Sequence, residues 1–395
     1  MRETQHRQRK GESEMGGKRG KQQRQPARPR LRDLSSFVDE SDHLPSSAYD
    51  PPSHQDKESG ASEEEDDPRA EEKWIDGPPS KFELYQRSVQ SPKGDISYMQ
   101  KFFLMYVGGR MPLHLQEDFC GTALLSCEWI RSDPRRTAVG LDLDLEALNW
   151  CLEKNLANIG IDGCSRISLF HGNVLKPQEA HLVKQMVEDF GRKGQDITTE
   201  VARMNVGSES GKEVCSISST MKEVGLPGRD IICAFNYSCC CLQRRTDLVM
   251  YFKHALHALS KKGGIFVMDV YGGTSAECKL RLKRKFPNFT YVWEQADFDI
   301  INRTTRISLH FQLGKKHIIQ HAFSYNWRLW SLPEIQDCLE EAGFCSVHFW
   351  VRKMPNTNSF GNTAEDTVDQ DLKYEELSSF QQQDAWNAYI VGVAN

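Results

Sequence analysis

Residues 112–130 read PLHLQEDFCGTALLSCEWI, and they carry the strongest indication of the architecture. Their first part predicts a short strand, Pro112–Phe119, and apolar residues on one helical face predict a helix over Gly121–Ile130. The turn between them, Glu117–Ala123, holds a single glycine. A strand that turns directly into a helix is typical of the start of a βαβ unit.

The alternation of strand and helix continues along the chain. Further strands are predicted at Thr137–Leu143, Arg166–His171, Asp230–Phe235, Ile265–Val270, Ser346–Val351 and Ala385–Val393. Helices are predicted at Asp95–Val107, Leu145–Asn158 and Asp247–Leu259. Strands separated by helices of this length predict parallel pairing with right-handed crossovers. The predicted fold class is therefore α/β: a Rossmann-like, doubly wound, mostly parallel sheet of seven strands.

An antiparallel extension is predicted after the fifth strand, at about residues 291–330. Three strands joined by short polar links are predicted there, at Phe298–Ile301, Arg306–Leu313 and His317–Arg328, and short links favour hairpins. A helix over Ser331–Gly343 follows, because a capping serine opens it and a glycine closes it.

Charge is distributed unevenly, although the net charge is only -5. Residues 1–32 hold eleven Lys or Arg and three Asp or Glu, whereas residues 33–76 hold fifteen Asp or Glu and three Lys or Arg. Both segments lack core-forming residues, which predicts a disordered tail over 1–76 that is dispensable for folding. One domain is predicted over 77–395, with a low-complexity insertion at about 190–229.

The basic stretch Lys18–Arg32 has two interpretations. It could be a nuclear signal or a nucleic-acid contact. The favoured alternative is a solvated tail without a partner, because the adjacent acidic block would offset its field.

Composition and patterning exclude several classes of protein. No apolar run reaches the roughly 18–20 residues that a membrane helix needs, and the charged first residues lack the apolar region of a secretory signal. We therefore expect an intracellular protein, cytoplasmic or nuclear, without a membrane partner. None of the twelve cysteines forms a C-x-x-C pair, so free thiols are expected and no metal site is predicted, even at Cys239–Cys241.

Two acids lie where an open α/β sheet binds its ligand, at the carboxyl ends of the strands. Glu117 is in the first turn, and Asp142 ends the second strand, where a carboxylate can accept both hydroxyls of a ribose. A nucleoside-containing ligand is therefore favoured, and NAD and S-adenosylmethionine compete. A pyrophosphate requires G-x-G-x-x-G, whereas this turn has only Gly121 and an acid that would repel phosphate.

An acid in this turn suits a ligand that carries an ammonium and a sulfonium group, which favours S-adenosylmethionine. A purely structural interpretation also exists. In it, Glu117 only caps the next helix and Asp142 only ends a strand.

In this order and spacing the motifs resemble those of the class I S-adenosylmethionine-dependent methyltransferases, over about Lys81–Ala394 apart from the insertion. No specific member is identified. Glu117–Ala123 resembles the first motif of the family, with Phe119 and Ala123 in place of its outer glycines. The resemblance implies S-adenosyl-L-methionine as the cofactor, contacted by Glu117, Cys120, Gly121, Thr122, Asp142, Leu143, Asn173, Val174 and Asn236.

The resemblance also implies roles within this set. Asp142 would hold the ribose, and Asn173 would bind the adenine amino group through its side-chain carbonyl. Asn236 follows the fourth strand, which in this family delivers residues toward the methyl group. The amphiphilic segment before the domain, Leu84–Gln90, would either close over the methionine part of the cofactor or pack on the first helix.

The implied function is methyl transfer from the cofactor to an acceptor that the sequence does not identify. A small molecule is favoured slightly over RNA or protein, and nucleic-acid binding through the basic tail is not favoured. A cofactor-binding module without activity is a further alternative, and a nicotinamide dehydrogenase is the least favoured.

No catalytic residue is predicted, because the cofactor carries the chemical driving force. The acceptor is expected at the end of the fourth strand and in the antiparallel extension, lined by Tyr237, Tyr271, Trp327 and Arg328. The sequence leaves the oligomeric state open.

Overall fold

The computed structural model describes Ser47 and residues 77–184, 219–314, 317–354, 357 and 373–395. All of these residues belong to one compact unit, Asp42–Asn395. Apart from Ser47, the predicted tail lies outside the described residues, as does residue range 190–218 of the predicted insertion.

Two β-sheets and the helices that pack on them make up the described structure. The strands are β1 (His114–Asp118), β2 (Thr137–Asp142), β3 (Ile167–His171), β4 (His181–Lys184), β5 (Ile231–Ala234), β6 (Gly264–Gly272), β7 (Leu280–Phe286), β8 (Phe289–Gln295), β9 (Thr304–Leu313), β10 (His317–Arg328), β11 (Ser346–Lys353), β12 (Glu375–Glu376) and β13 (Trp386–Ala394). The α-helices are α1 (Lys81–Val89), α2 (Pro92–Tyr106), α3 (Leu124–Ser132), α4 (Leu145–Trp150), α5 (Gly160–Ser165), α6 (Arg245–Ala258) and α7 (Leu332–Ala342).

The larger sheet has the strand order β12-β11-β13-β6-β5-β1-β2-β3-β4. Its central strands β6, β5, β1, β2 and β3 are parallel, and β13 lies antiparallel between β6 and β11. The predicted fold class is confirmed, because all seven predicted strands are present in a doubly wound order. The edge strands β4 and β12 are additional, and at four and two residues they are too short to show a periodicity.

Alternate side chains of the parallel strands point to opposite faces of the sheet and form two cores. Leu115, Ala138 and Leu169 pack under α2 and α3, in a core that contains the buried Trp129. Val139, Leu141 and Phe170 belong to a second core under α6 and α7. All nine residues of β6 are buried, as expected for a strand covered on both faces.

The second sheet is antiparallel, with the order β10-β9-β8-β7. It begins at Leu280, earlier than the predicted start at residue 291. Its strands β7 and β8 are both absent from the prediction. The strand β7 (LRLKRKF) buries Leu282 and exposes Arg281, Lys283 and Lys285, so its many charged residues hide the apolar alternation in the sequence.

The strand predicted at Phe298–Ile301 is wrong. These residues form the connection between β8 and β9, in which Asp299 Oδ1 accepts hydrogen bonds from the Ile301 and Asn302 N–H groups. Ile300 and Ile301 are 75% and 89% exposed. The two adjacent isoleucines give this segment the apolar pattern of a strand, but the aspartate side chain organises it as a turn.

The predicted start and end of the helix after β10 are both present in α7. Ser331 and Glu334 form a reciprocal capping box, and Gly343 ends the helix in the left-handed conformation. None of the helices in the described parts of the chain has both the length and the hydropathy needed to cross a bilayer.

Candidate functional site

The loop between β1 and α3 adopts left-handed backbone conformations without the usual glycines. Phe119, Gly121 and Ala123 have φ values of 56°, 51° and 49°, which costs about 1–2 kcal/mol at each non-glycine position. The Cys120 N–H donates to the Leu141 carbonyl at 3.2 Å, and the Ala123 N–H donates to the Cys120 carbonyl at 2.7 Å. The surrounding contacts thus hold Phe119 and Ala123 in a left-handed conformation that glycine adopts more readily.

Asp142 ends β2 and faces this loop. Its Oδ2 accepts from the Gly121 N–H at 2.6 Å and its Oδ1 from the Asp144 N–H at 2.7 Å. Burial raises the pKa of Asp142, although the residue stays partly accessible. The next residue, Leu143, is 62% exposed, so an acceptor of hydrogen bonds lies beside an open apolar surface.

Glu117 lies near the carboxyl end of β1, and its carboxylate caps α3. Its Oε2 accepts from the Ser126 N–H at 2.9 Å and from the Ser126 Oγ at 2.6 Å. Burial is the main cause that raises its pKa to about 8, with Asp142 and Asp95 adding to the shift. The capping contact of the structural interpretation is therefore present, and it leaves Glu117 Oε1 outside that contact.

A cavity of about 10 Å³ lies next to Glu117, which is about the space of one water molecule. It is lined by Gln90, Pro92, Asp95, Glu117, Leu125, Phe235 and Asn236. The Oε1 of Gln90 and the Oδ1 of Asn236 are buried without a hydrogen-bond partner, and Asp95 Oδ1 accepts from the Tyr389 hydroxyl at 2.6 Å. The polar side chains around this cavity thus offer it acceptors.

Asn236 and Tyr237 follow β5 in left-handed conformations, with φ values of 59° and 60°. Their N–H groups donate to the two carboxylate oxygens of Asp269 on β6, at 3.0 and 2.8 Å. Burial is the main cause that raises the pKa of Asp269 to about 8. Asp269 therefore positions the turn that carries Asn236.

The other predicted residues of the first motif are buried within the loop. Thr122 Oγ1 accepts from Gln86 Nε2 at 2.6 Å, and its carbonyl accepts from Asn155 Nδ2 at 2.8 Å. Cys120 packs on Gly140, where a Cβ atom would come within 2.9 Å of the cysteine sulfur. The hydrogen bond from Gln86 places α1 directly over the loop.

The segment after β3 is placed differently from what its predicted role requires. Asn173 Oδ1 accepts from the Leu175 N–H at 2.9 Å, so the carbonyl predicted to bind adenine is engaged in its own turn. Val174 is 5% exposed. Its side chain lines a cavity of about 440 Å³ against α6, together with Tyr251 and Arg229, and Asp142 does not line this cavity.

Three of the predicted acceptor-binding residues pack in the core between the sheets. Tyr237, Tyr271 and Trp327 are 1–3% exposed, and their ring centroids are 4.8–6.0 Å apart. The prediction that these side chains line an open acceptor site disagrees with the structure. Together with buried residues of β8 and β9, these three side chains form a further hydrophobic core that joins the two sheets.

Arg328 is also engaged. Its guanidinium donates to Glu334 Oε1 at 2.9 Å and lies 3.8 Å from the centroid of the Trp330 ring. This arginine joins β10 to the start of α7.

Gln90 belongs to the segment predicted to close over the cofactor, whereas sequence reasoning did not single out Asp95, which lines the cavity, or Asp269, which holds the Asn236 turn. Asp95 and Asp269 are acids in apolar surroundings, which is a signal that could have identified them. Among the described residues, no three His, Cys, Asp or Glu side chains are arranged to hold a metal ion.

Comparison with known proteins finds similarity in structure only. No protein-family model and no curated protein matches the chain. An S-adenosylmethionine-dependent methyltransferase from Clostridium acetobutylicum has 12% identity and a TM-score of 0.43, over 79% of this chain and 97% of that one. The sugar N-methyltransferase KedS8 from a Streptoalloteichus species has 12% identity and a TM-score of 0.46, over 81% and 95%.

A third similar structure is CalS10, an amino pentose methyltransferase from Micromonospora echinaspora solved with S-adenosylmethionine bound. It has 11% identity and a TM-score of 0.41, over 78% of this chain and 94% of that one.

Proposed function

We propose that this chain is an S-adenosyl-L-methionine-dependent methyltransferase. The observation that carries the proposal is the cavity beside Glu117, where Gln90, Asp95, Glu117 and Asn236 offer hydrogen-bond acceptors. Two of these acceptors are buried and unpartnered. A group with several N–H donors and a positive charge satisfies them, and the ammonium of the methionine moiety is such a group.

The same surroundings disfavour a dinucleotide. A pyrophosphate needs backbone N–H donors and a positive field, whereas the loop N–H of Gly121 is taken by Asp142. Asp95 and Asp142 are close enough to Glu117 to raise the pKa of its carboxyl. An anionic ligand would be repelled at this end of the sheet.

In this proposal the residues of the chain bind and orient the cofactor. Asp142 accepts hydrogen bonds from the ribose hydroxyls, Leu143 covers the adenine, and the cavity beside Glu117 holds the ammonium. Asp269 keeps Asn236 in place at the end of β5. When bound, the cofactor supplies an activated methyl group, so alignment and exclusion of water are what the protein contributes.

Replacing Asp142 tests the proposal. Asp142→Ala should weaken binding of S-adenosylhomocysteine by about 1–3 kcal/mol, because the ribose loses a charge-assisted acceptor. Isothermal titration of the full chain measures it, with the exposed Asp162 as the matched control in Asp162→Ala. Binding of NAD in place of S-adenosylhomocysteine, or unchanged affinity in Asp142→Ala, would contradict the assignment.

We also propose that the acceptor of the methyl group is a small molecule, in preference to RNA or protein. The alternative of an inactive binding module is separated by a turnover assay with labelled cofactor, since such a module binds S-adenosylhomocysteine and transfers no methyl group to any fraction of a cell extract.

A further inference from the structure

The cavity of about 440 Å³ lies between the larger sheet and α6. Gln116 and Asp118 of β1 line it, and because side chains alternate along a strand, they lie on the opposite face of β1 from Glu117. Among the described residues, this cavity and the one beside Glu117 share no lining side chain. Its volume is in the range of small-molecule sites, and the proposed cofactor site does not account for it.

Arg229, which precedes β5, brings a buried positive charge to this cavity. It is 8% exposed. Its Nη1 donates to the Pro227 carbonyl at 3.0 Å, whereas its Nε is buried without a hydrogen-bond partner. Burial lowers the pKa of Arg229 to about 10, so the guanidinium keeps its charge at neutral pH. A buried cation without a counterion is costly, and Arg229 forms no salt bridge within the described parts of the chain.

Gln116 offers the same cavity an unused hydrogen-bond acceptor. Its Nε2 donates to Asp118 Oδ1 at 2.8 Å, which fixes the orientation of the amide, and its Oε1 is buried without a partner. Asp118 Oδ2 in turn accepts from the Tyr251 hydroxyl at 3.0 Å, so both oxygens of this carboxylate have donors. A ligand that satisfies Gln116 and Arg229 therefore carries a neutral N–H or O–H donor and an anionic group.

The charge of the lining favours an anion with a single negative charge. Asp118 is the one acid among the described lining residues, and the basic ones are Arg229, Lys222, His254 and His257. Asp118 is close enough to Arg229 for the two charges to interact, so it would repel a phosphate, with its charge of about −1.5 to −2, more than a carboxylate. The Nε edge of a guanidinium also matches the two oxygens of a carboxylate.

The strand register sets the length of such a ligand. Leu115 pairs with Ile231, so Gln116 and Arg229 are offset by three residues, or about 10 Å, along the strands. The apolar side chains of the lining include Leu141, Val174 and Met221. An apolar body that joins the anionic group to the donor group therefore suits the cavity.

We propose that this cavity binds a small organic carboxylate with an apolar body and a hydroxyl or N–H group at the other end. The carboxylate pairs with Arg229, and the donor group binds Gln116 Oε1. The ligand is bound without chemical change. The proposal is independent of the methyltransferase assignment, because it uses none of the side chains that we assign to the cofactor.

Matched aromatic probes test the two contacts separately. The probe 3-(4-hydroxyphenyl)propionate has the carboxylate, the apolar body and the hydroxyl donor. Its amide, 3-(4-hydroxyphenyl)propionamide, lacks the charge, and 3-phenylpropionate lacks the hydroxyl. In titration calorimetry with the full chain, loss of the charge should weaken binding about tenfold or more, and loss of the hydroxyl about fivefold.

Methionine methyl groups show where the probe binds. Met221 lines the cavity, whereas Met250 of α6 is 40% exposed and does not line it. In NMR spectra of the full chain with carbon-13 methionine methyl groups, the Met221 signal should shift when the hydroxyphenylpropionate is added, and the Met250 signal should stay in place. Met221→Leu and Met250→Leu identify the two signals.

Variants of the basic side chains test the charge contact. Arg229→Gln should weaken binding of the hydroxyphenylpropionate at least tenfold and change that of its amide less than twofold, whereas Arg229→Lys should retain part of the affinity. Arg245→Gln, at the other end of α6, is the matched control. Lys222 is exposed, so Lys222→Gln should leave the fold intact and weaken carboxylate binding about threefold. Thermal unfolding of each variant separates loss of the site from loss of the fold.

Several results would overturn the proposal. Equal affinity for the carboxylate and its amide, or an unshifted Met221 signal, rules out the site. Tighter binding of tyramine or of 2-(4-hydroxyphenyl)ethyl phosphate rules out the ligand class. Binding that occurs only after residues 190–218 are replaced by a Gly-Ser linker would show that the chain itself fills the cavity. Failure of S-adenosylhomocysteine to bind would end the methyltransferase assignment and leave these results unaffected.

Discussion

Glu117 makes a structural contact, and a bound ligand can change the protonation state of its carboxyl group. It caps α3 through Ser126, and burial holds its pKa at about 8 against an ordinary 4.5. The folded chain therefore keeps a proton that the unfolded chain releases. Stability from this group is complete below pH 4.5 and falls as the pH rises toward 8. A cation beside the carboxylate reverses this preference.

Affinity for a cationic ligand should consequently depend on pH. Binding of S-adenosylhomocysteine, which carries an ammonium group, should release a proton from Glu117 and strengthen by up to about tenfold per pH unit between about pH 6 and 8. Titration calorimetry in buffers of different ionisation enthalpy measures the released proton. Glu117→Gln should flatten the pH dependence. A wild-type affinity that does not change with pH would show that Glu117 does not face the ligand's charge.

The antiparallel sheet is joined to the parallel sheet by aromatic side chains, and β10 supplies Trp327 to that junction. Trp327 is 3% exposed and contacts Tyr237, Tyr271 and Trp293. Trp327→Ala should therefore lower the free energy of unfolding by about 3–5 kcal/mol. Denaturant unfolding measures it, with Tyr325→Phe on the same strand as the mild control. A Trp327→Ala protein of normal stability would contradict this packing role.

The last part of the predicted insertion, from residue 219 onward, lies within the described residues. The Leu182 N–H of β4 donates to the Ser219 carbonyl at 2.9 Å, so Ser219 lies beside β4. Met221, Val224 and Leu226 then pack against the core. A Gly-Ser linker in place of residues 190–218 should leave the melting temperature nearly unchanged, whereas extending the deletion to residue 228 should destabilise the domain. Equal melting temperatures for both deletions would contradict the packing of 219–228.

Ser47 is hydrogen-bonded to α1, to the turn after β5 and to β13. Its Oγ lies 3.0 Å from the Tyr237 hydroxyl and accepts from Asn387 Nδ2 at 3.1 Å, and its N–H donates to the Val89 carbonyl at 3.0 Å. The sequence predicts that residues 1–76 are dispensable for folding, whereas these hydrogen bonds predict a contribution from the stretch that contains Ser47. Ser47 is 2% exposed, so its loss leaves buried polar groups unsatisfied.

Ser47→Ala should lower the free energy of unfolding by about 1–3 kcal/mol, because Tyr237 and Asn387 lose a buried partner. A chain that begins at residue 43 should melt like the full chain, and a chain that begins at residue 77 should melt earlier. Identical melting of the two truncated chains would show that Ser47 contributes nothing.

The elements of the parallel sheet could be predicted from the sequence because their signals are local. Apolar runs such as Thr137–Leu143 and capping residues such as Ser331 act over a few neighbouring positions. The place of Asp142 at the ligand edge follows from the same local logic, since the carboxyl ends of parallel strands meet at one edge.

The side chains that share a cavity or a core could not be predicted in this way. Asp95 reaches Glu117 through the packing of α2 on the sheet, and Ser47 reaches Asn387 across 340 positions of the chain. Tyr237 and Trp327 are aromatic residues that suit an acceptor pocket and a core equally well in sequence. Whether they line a pocket or form a core depends on how the antiparallel sheet packs against the parallel sheet. Burial is a property of the assembled surfaces and not of the residue itself.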